Sequence, residues 1–226
     1  MTSPLPGYSL VVFDWDGTLM DSTPTIIAAI QSACRDLGLP VPPDEAAAWV
    51  IGLSLQDALM AAVPTLAQDQ VQAFVARYRF HYLTRDPQLR LFAGAEQMLA
   101  RLAERGARLA VATGKSRVGL ERALDATGIR RYFDTTRCAD ETFSKPNPAM
   151  LFEIMRELGA DPASAVMVGD TSHDLQMARN AGIHGVGVTY GAHAVDELAG
   201  CAPQTLAGSI AELGDWLHGR IAARAA

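Results

Sequence analysis

The feature that most constrains the fold is a short run at residues 8–13 that ends abruptly at Asp14 and Asp16. The run is rich in β-branched, aliphatic and aromatic side chains, a composition typical of a strand that is buried on both faces of a parallel sheet. Parallel sheets are covered by helices on both faces. The chain is therefore expected to contain an α/β domain.

The residues after this strand carry only helix signals, from Ser22 to about Leu83. Ser22 or Thr23 is suited to the N-cap of a helix, and a proline follows at position 24 in its first turn. Gly38 then ends this helix. Two more helices are predicted, near residues 44–61 and 67–83.

After Phe92 the pattern changes to helices that alternate with strands. Helices are predicted at residues 94–105, 116–126, 148–158 and 173–181, and near 207–219. Strands are predicted at residues 108–112, 133–138, 165–168 and 184–188. This alternation is typical of a doubly wound parallel sheet with right-handed crossovers. The predicted fold class is α/β, with residues 1–21 and 92–226 as the core and residues 22–91 as an inserted all-helical domain.

Polar residues follow the predicted strands at the edge where such sheets bind ligands. They are Asp14 and Asp16, Thr113 and Gly114, Lys145 ahead of a helix, and Asp170 and Asp174. Carboxylates that lie together raise one another's pKa and destabilise the fold unless a cation holds them. A few hard oxygen ligands suit Mg²⁺, which shares an oxygen of a substrate phosphate. The cluster therefore predicts phosphoryl transfer, with Lys145 and Thr113 supplying charge and hydrogen bonds to the phosphoryl group.

Four short motifs contain these residues. They are FDWDGTL at residues 13–19, ATG at 112–114, SKPNP at 144–148 and GDTSHD at 169–174. In this order they resemble the four motifs of the haloacid dehalogenase (HAD) superfamily, and the match is closest to its phosphoglycolate phosphatase-like group. The resemblance implies a Rossmann-like core, and it implies that residues 22–91 form the helical cap that this group inserts after its first motif.

The resemblance also implies a task for each motif residue. Asp14 would be the nucleophile that forms an aspartyl-phosphate, and Asp16 would protonate the leaving alcohol and later deprotonate the attacking water. Thr113 and Gly114 would bind phosphate oxygens together with Lys145, whose charge would also offset that of the nucleophile. A phosphatase or a phosphomutase is indicated, because the dehalogenases of the superfamily lack an aspartate at the position of Asp16 and need no metal.

The resemblance implies that Mg²⁺ is bound by Asp14, by Asp170 and by the main-chain carbonyl of Asp16. Asp174 would orient these ligands or a metal-bound water. An alternative for Asp174 is that it is only an acidic residue in the first turn of a helix, where the helix dipole favours it.

The expected function is a Mg²⁺-dependent phosphatase that acts on a small phosphate monoester, with phosphoglycolate as the first candidate and sugar phosphates, amino-sugar phosphates and pyrophosphate as others. A phosphomutase, which returns the phosphoryl group to a bound sugar intermediate, is the nearest alternative. A non-catalytic binding module on a phosphatase scaffold is a second. The expected partner is a small phosphorylated metabolite, and the chain is expected to be a monomer or a weak homodimer.

Composition bears on other partners and on location. The 226 residues include 19 Lys and Arg against 25 Asp and Glu, a net charge of −6 without a basic stripe, which argues against nucleic acid. Residues 1–19 lack the basic and apolar segments of a signal peptide, and the most apolar stretch, 46–67, is too interrupted to span a membrane. The three cysteines are widely spaced and predict neither a disulfide framework nor a zinc site. A cytoplasmic protein that binds no membrane is expected.

Several further residues have a structural and a functional interpretation. Lys115 is expected to be structural or solvent-facing, because Leu109 stands where a phosphate-binding Walker loop needs a glycine. His173 is expected to be an exposed bystander. The family resemblance also implies that the loop at residues 52–54 reaches from the cap toward the core. A basic cluster could meet an anionic substrate or form a solvated helix face; it consists of Arg77, Arg79, His81, Tyr82 and Arg85.

Overall fold

The computed structural model describes residues 7–222 of the chain. Its centre is a six-stranded sheet in which every pair of neighbouring strands is parallel. The strands are β1 (Leu10–Phe13), β2 (Arg108–Thr113), β3 (Thr135–Cys138), β4 (Ala165–Gly169), β5 (His184–Val188) and β6 (Leu206–Ala207). Their order across the sheet is β3-β2-β1-β4-β5-β6. The strand order reverses beside β1, which places a ligand crevice at the carboxyl ends of β1 and β4.

Helices cover the sheet and fill the connection between β1 and β2. In residues 7–222 they are α1 (Thr23–Asp36), α2 (Asp44–Trp49), α3 (Leu55–Ala62), α4 (Val71–Arg85), α5 (Ala95–Glu104), α6 (Arg117–Thr127), α7 (Ala149–Leu158), α8 (Ser172–Asn180), α9 (Val195–Gly200) and α10 (Ile210–His218). The predicted α/β fold with a doubly wound parallel sheet is confirmed.

Strand β1 shows why this sheet is buried on both faces. Val11 and Phe13 join the apolar cluster on one side, and Leu10 and Val12 join the cluster on the other side. All four side chains are inaccessible to solvent. Successive side chains of a strand point to opposite faces, so a continuous apolar run needs two apolar layers.

Helices α1 to α4 pack around an apolar cluster of their own. Ile30 of α1, Leu59 of α3 and Phe74 of α4 are among its buried members. The boundaries of an inserted domain at residues 22 and 91 stay a prediction.

The predicted helix at residues 44–61 is wrong, because the structure has two helices there. The chain turns at Gly52, whose φ of +90° is a conformation that glycine adopts without strain. Ser54 then begins α3, and its hydroxyl accepts a hydrogen bond from the backbone N–H of Asp57 at 3.2 Å. Helix α9 and strand β6 were not predicted from the sequence, since both are too short to show a period.

No helix within residues 7–222 is both long enough and apolar enough to cross a bilayer. Residues 1–6, which open the segment predicted not to be a signal peptide, lie outside the described part of the chain.

Candidate active site

Asp14 is held at the carboxyl end of the central strand. Its backbone N–H donates to the carbonyl oxygen of Val168 in β4 at 2.9 Å, which continues the β1–β4 ladder by one residue. Asp170 follows the last residue of β4, and both aspartates are fully buried. The parallel pairing of the two strands therefore brings two carboxylates together at the crevice.

Three carboxylates form a compact group at this edge. Asp14, Asp170 and Asp174 each have a carboxylate oxygen that lies within 4.8 Å of the others. Asp170 accepts from the Thr18 hydroxyl at 2.7 Å and from the backbone N–H of Ala192 at 2.8 Å. These hydrogen bonds fix the orientation of the Asp170 carboxylate.

Asp174 is held by the first turn of α8. Its Oδ2 accepts from the Thr171 hydroxyl at 2.6 Å and from the Thr171 backbone N–H at 3.1 Å. The backbone N–H of Asp174 donates back to the Thr171 hydroxyl at 3.3 Å, so the pair forms a reciprocal N-cap. Asp174 is thus the N3 member of a capping box and also belongs to the carboxylate group, and its role in orienting metal ligands stays a prediction.

Lys145 lies inside the carboxylate group. Its Nζ is 2.7 Å from Asp14 Oδ1 and 2.7 Å from Asp174 Oδ1, and its side chain has no solvent exposure. A buried ammonium is stable only with such partners. The predicted proximity of Lys145 to Asp14 is therefore present in the structure.

Burial controls the protonation of this group. It raises the pKa of Asp14 well above its ordinary value, against the opposing effect of Lys145. Burial, reinforced by Asp174, also raises the pKa of Asp170 to about 7. Burial alone would lower the pKa of Lys145, but Asp14 and Asp174 raise it above its ordinary value. Three acids share one ammonium, so the group favours an additional cation.

The donor set fits a hard divalent cation. It consists of carboxylate oxygens, which Mg²⁺ prefers. Asp14 Oδ2 is buried and has no hydrogen-bond partner among residues 7–222. A buried, unpartnered carboxylate oxygen beside a second carboxylate is what a metal ligand requires, whereas both oxygens of Asp174 already have protein partners. The residues present therefore fit Mg²⁺, with Asp14 and Asp170 as side-chain ligands.

The Asp16 side chain occupies a separate position next to this group. Its Oδ1 accepts from the Ser22 hydroxyl at 2.7 Å. Lys115 Nζ donates to its Oδ1 at 2.8 Å and to its Oδ2 at 2.9 Å, and it also donates to the Tyr82 hydroxyl of α4 at 3.0 Å. Lys115 was expected to be structural or solvent-facing, and the solvent-facing alternative is wrong, because only 11% of its side chain is exposed. Its place two residues after the end of β2, at the same edge of the sheet as Thr113, was the signal that could have indicated it.

A family model described as haloacid dehalogenase-like hydrolase matches residues 11–188. The chain belongs to this family. The hydrolase is 39% identical over 210 residues to the "Probable phosphatase IndB" of Dickeya dadantii (strain 3937), across 90% of this chain and 91% of the relative. It is 34% identical over 187 residues to the "Phosphoglycolate phosphatase" of Pectobacterium atrosepticum, across 80% of each chain.

A solved structure has the same architecture. It is titled as that of "a predicted phosphoglycolate phosphatase from haemophilus somnus 129pt", and it superposes on this hydrolase with a TM-score of 0.83 at 27% identity, over 92% of this chain and 97% of that one. The resemblance to phosphoglycolate phosphatase-like members of the superfamily is confirmed, and these relatives agree with the predicted class of phosphoric monoester hydrolase.

In this hydrolase the loop at residues 52–54 lies directly on the end of β2. Thr113 is buried there, and its Oγ1 accepts from the backbone N–H of Lys115 at 3.2 Å. A Cβ added to Gly114 would lie 2.3 Å from the carbonyl oxygen of Leu53 and 2.4 Å from that of Gly52. The hydroxyl oxygen of Ser144 also contacts this loop, because it accepts a hydrogen bond from the backbone N–H of Ser54 at 2.8 Å. Phosphate binding by Thr113 and Gly114 stays a prediction.

Gly114→Ala is expected to lower kcat at least about tenfold, because the added methyl group displaces the 52–54 loop from the site. Phosphate release and the melting temperature are the measurements, and the fold is expected to be retained because Gly114 lies outside the strand. Gly200→Ala, where the new Cβ meets nothing within 4 Å, is the matched control and should keep wild-type activity. Equal activity in the two variants would contradict a role for this close contact.

The hydrolase buries His173, which contradicts the expectation of an exposed residue. The side chain is 5% exposed, and its Nε2 lies 2.8 Å from the carbonyl oxygen of Trp49. His193 Nε2 lies 3.0 Å from the same oxygen. Burial lowers the pKa of His173. No sequence pattern indicates this contact, because Trp49 and His173 are 124 residues apart.

Some residues of the basic cluster of α4 contact neighbouring helical residues, and the others line a cavity. Arg77 forms an ion pair with Asp36 of α1, and His81 Nε2 lies 2.8 Å from the same carboxylate. Arg85 donates to the carbonyl oxygen of His81 within α4. The contacts with Asp36 join α4 to α1 and support the structural interpretation of Arg77 and His81. Arg79 and Tyr82 instead line a cavity beside Asp16.

Proposed function

We propose that this hydrolase is a Mg²⁺-dependent phosphatase that acts on a small phosphate monoester, such as phosphoglycolate or a sugar phosphate, through an aspartyl-phosphate on Asp14. The observation that carries the proposal is the buried Lys145, which contacts Asp14 and Asp174 within a group that also contains Asp170. Buried titratable groups with raised pKa values cluster at functional sites, and phosphoryl transfer needs a nucleophile beside positive charge, which this group supplies.

Asp14 supplies the nucleophile. Its carboxylate attacks phosphorus, a P–O bond to Asp14 forms, and the P–O bond to the alcohol breaks. Lys145 offsets the negative charge that the carboxylate and the phosphoryl group bring together. Thr113 and the backbone at Gly114 bind phosphoryl oxygens. Asp16, after it has taken up a proton and released Lys115, gives that proton to the leaving alcohol. It then takes a proton from a water whose oxygen bonds to phosphorus while the P–O bond to Asp14 breaks.

The metal would be held by Asp14, Asp170 and the main-chain carbonyl of Asp16, with Asp174 fixing Lys145 and the first turn of α8. When bound, Mg²⁺ supplies positive charge to the phosphoryl oxygens and orients them. Thr18 and Ala192 orient Asp170 for this task through their hydrogen bonds.

Phosphate release by the purified protein tests the proposal. The substrates are phosphoglycolate, sugar phosphates, nucleotides and pyrophosphate, each with Mg²⁺ and with a chelator. Mg²⁺-dependent release in proportion to substrate consumed supports a phosphatase. Isomerisation of a sugar phosphate without net release would favour a phosphomutase, and ligand binding without any turnover would favour a binding module.

The pH dependence of stability provides a second test. The folded pKa of Asp170 is raised above its ordinary value to about 7, so the metal-free protein loses stability as the pH rises from about 4 to 7. Mg²⁺ needs the deprotonated carboxylates, so it should stabilise the protein more at about pH 8 than at about pH 5.5. We expect a melting temperature shift of at least about 3 °C at the higher pH, and Asp170→Asn should abolish the difference. An equal shift at both pH values would contradict the assignment.

We further infer that residues 22–91 act as a cap over the site, with support from their separate apolar cluster and from the contact of Gly52 with Gly114. A cytoplasmic location agrees with the free thiols of Cys34, Cys138 and Cys201. The proposed partner is a phosphorylated metabolite, and the proposed state is a monomer or a weak homodimer.

A further inference from the structure

A cavity of about 650 Å³ lies between helices α1, α3 and α4 and the segment that joins β2 to α6. Asp16, Lys115 and Tyr82 are part of its lining. In the proposed function Asp16 protonates the leaving oxygen, so the alcohol part of the substrate must extend into this cavity. Volumes of this size are typical of sites for ring-containing ligands, and a two-carbon leaving group would leave most of the space to water.

Aliphatic side chains are the largest group in the lining of the cavity, which also contains the polar residues Ser54, Gln56, Ser116 and Asp140. The lining includes Ile26, Ile30, Ala58 and Leu59, all of which are buried. At its mouth lie Leu83, 45% exposed, and Val118, 74% exposed. Exposed apolar side chains on both sides of a cavity mouth gain burial when an apolar ligand enters.

The cationic side chains of the lining are poorly placed to form an ion pair with the carboxylate of a small substrate. Lys115 is committed to Asp16 and Tyr82, and Arg122 pairs with Asp86 at 2.6 Å. Arg79 is exposed to solvent. A glycolate carboxylate placed beside Asp16 would have to compete with Asp16 for the Lys115 ammonium.

Tyr78 supplies an uncommitted polar group. Its ring stacks on that of Tyr82 with a centroid distance of 6.0 Å, and it lines the cavity. Its hydroxyl makes no hydrogen bond within the part of the chain that the structure describes. Burial raises the pKa of Tyr78 above its ordinary value, so the hydroxyl keeps its proton at neutral pH and can donate.

We propose that the cavity selects phosphate monoesters whose alcohol carries a ring with a mainly apolar surface, and that the Tyr78 hydroxyl determines specificity by binding one polar group on that ring. This inference rests on the proposed function and narrows its substrate class. A sugar that fills the cavity would place some of its hydroxyls against the aliphatic side chains of α1 and α3, where they find no hydrogen-bond partners. An aromatic or otherwise flat ring with one hydrogen-bonding substituent matches the lining better.

The experiment compares phosphoglycolate with phenylethyl phosphate and its three hydroxyphenyl isomers, with acetyl phosphate as a probe of the phosphoryl site alone. We expect kcat/KM for phenylethyl phosphate to exceed that for phosphoglycolate at least about tenfold, and at least one hydroxyphenyl isomer to be better still. Phosphate release from acetyl phosphate and phosphoglycolate, with little from the ring esters, would overturn the inference and leave the proposed function intact. No release from any of these compounds would overturn both.

Two variants test the lining directly. Ala58→Leu fills part of the cavity and should lower the ratio of kcat/KM for phenylethyl phosphate to that for phosphoglycolate at least about tenfold. Tyr78→Phe should lower kcat/KM for the best hydroxyphenyl isomer about tenfold, and more than for phenylethyl phosphate itself. The control is Phe80→Leu, because Phe80 is an exposed residue of α4 outside the lining. This variant should keep the kcat/KM for phenylethyl phosphate relative to phosphoglycolate and relative to the best hydroxyphenyl isomer. Unchanged ratios in Ala58→Leu and Tyr78→Phe, with both variants folded by circular dichroism, would overturn the proposal.

Discussion

Asp14→Asn is expected to lower phosphate release about 10,000-fold or more while the protein stays folded. The amide has nearly the shape of the carboxylate but cannot attack phosphorus, so the covalent route is closed. The fold is expected to survive because burial already disfavours the charged form of Asp14, whose pKa lies well above its ordinary value. The measurements are phosphate release with the preferred substrate and the melting temperature.

The control for this variant is Asp196→Asn, which removes a carboxylate from an exposed position in α9. It should retain full activity. Substantial turnover by Asp14→Asn would show that another group attacks phosphorus, and the mechanism proposed here would then be wrong. A folded, inactive Asp14→Asn that still binds substrate would support it.

Lys145→Met is expected to destabilise the protein and to abolish turnover. Without the ammonium, the charged forms of Asp14 and Asp174 lie unpaired in a buried site, and breaking a buried pair of this kind costs about 3–5 kcal/mol. The measurement is the free energy of unfolding by denaturant at several pH values. The loss should be smaller at low pH, because protonation of the carboxylates removes the unpaired charges.

Lys115→Met is the comparison for this prediction. Lys115 also pairs with an aspartate, but 11% of its side chain is exposed against none for Lys145, so its removal should cost less stability. A loss of stability in Lys145→Met that is no larger than in Lys115→Met, or that does not depend on pH, would contradict the assigned role of the buried ammonium.

The sequence was sufficient for the elements whose signal is local and for the residues at strand ends. Strand β1 has the composition of a strand between two apolar layers, and the rule for parallel sheets places Asp14 and Asp170 at one edge. The match of Lys145 to a family motif then predicted its place beside Asp14. These predictions depend on pattern and topology, which one sequence displays.

Contacts between distant segments were not predictable in this way. Lys115 and Asp16 are 99 residues apart, and neither shows in the sequence which partner it meets. The same holds for the carbonyl oxygen of Trp49, on which two histidines converge. The helical period does not show the break at Gly52, because the apolar neighbours of this glycine continue the period; only the family resemblance indicated a loop at residues 52–54, which packs against Gly114. Tertiary packing decided each of these cases.

The pairing of Lys145 with Asp14 and of Lys115 with Asp16 has a practical consequence, because these are the two lysines of the whole chain. The other 17 of its 19 Lys and Arg residues are arginines. Protein labelled with ¹³C and ¹⁵N in lysine alone would give two side-chain ammonium signals, one beside the proposed nucleophile and one beside the proposed acid. Titration with Mg²⁺ or with an unreactive phosphate analogue would then report on each half of the site separately, without mutation or an attached probe.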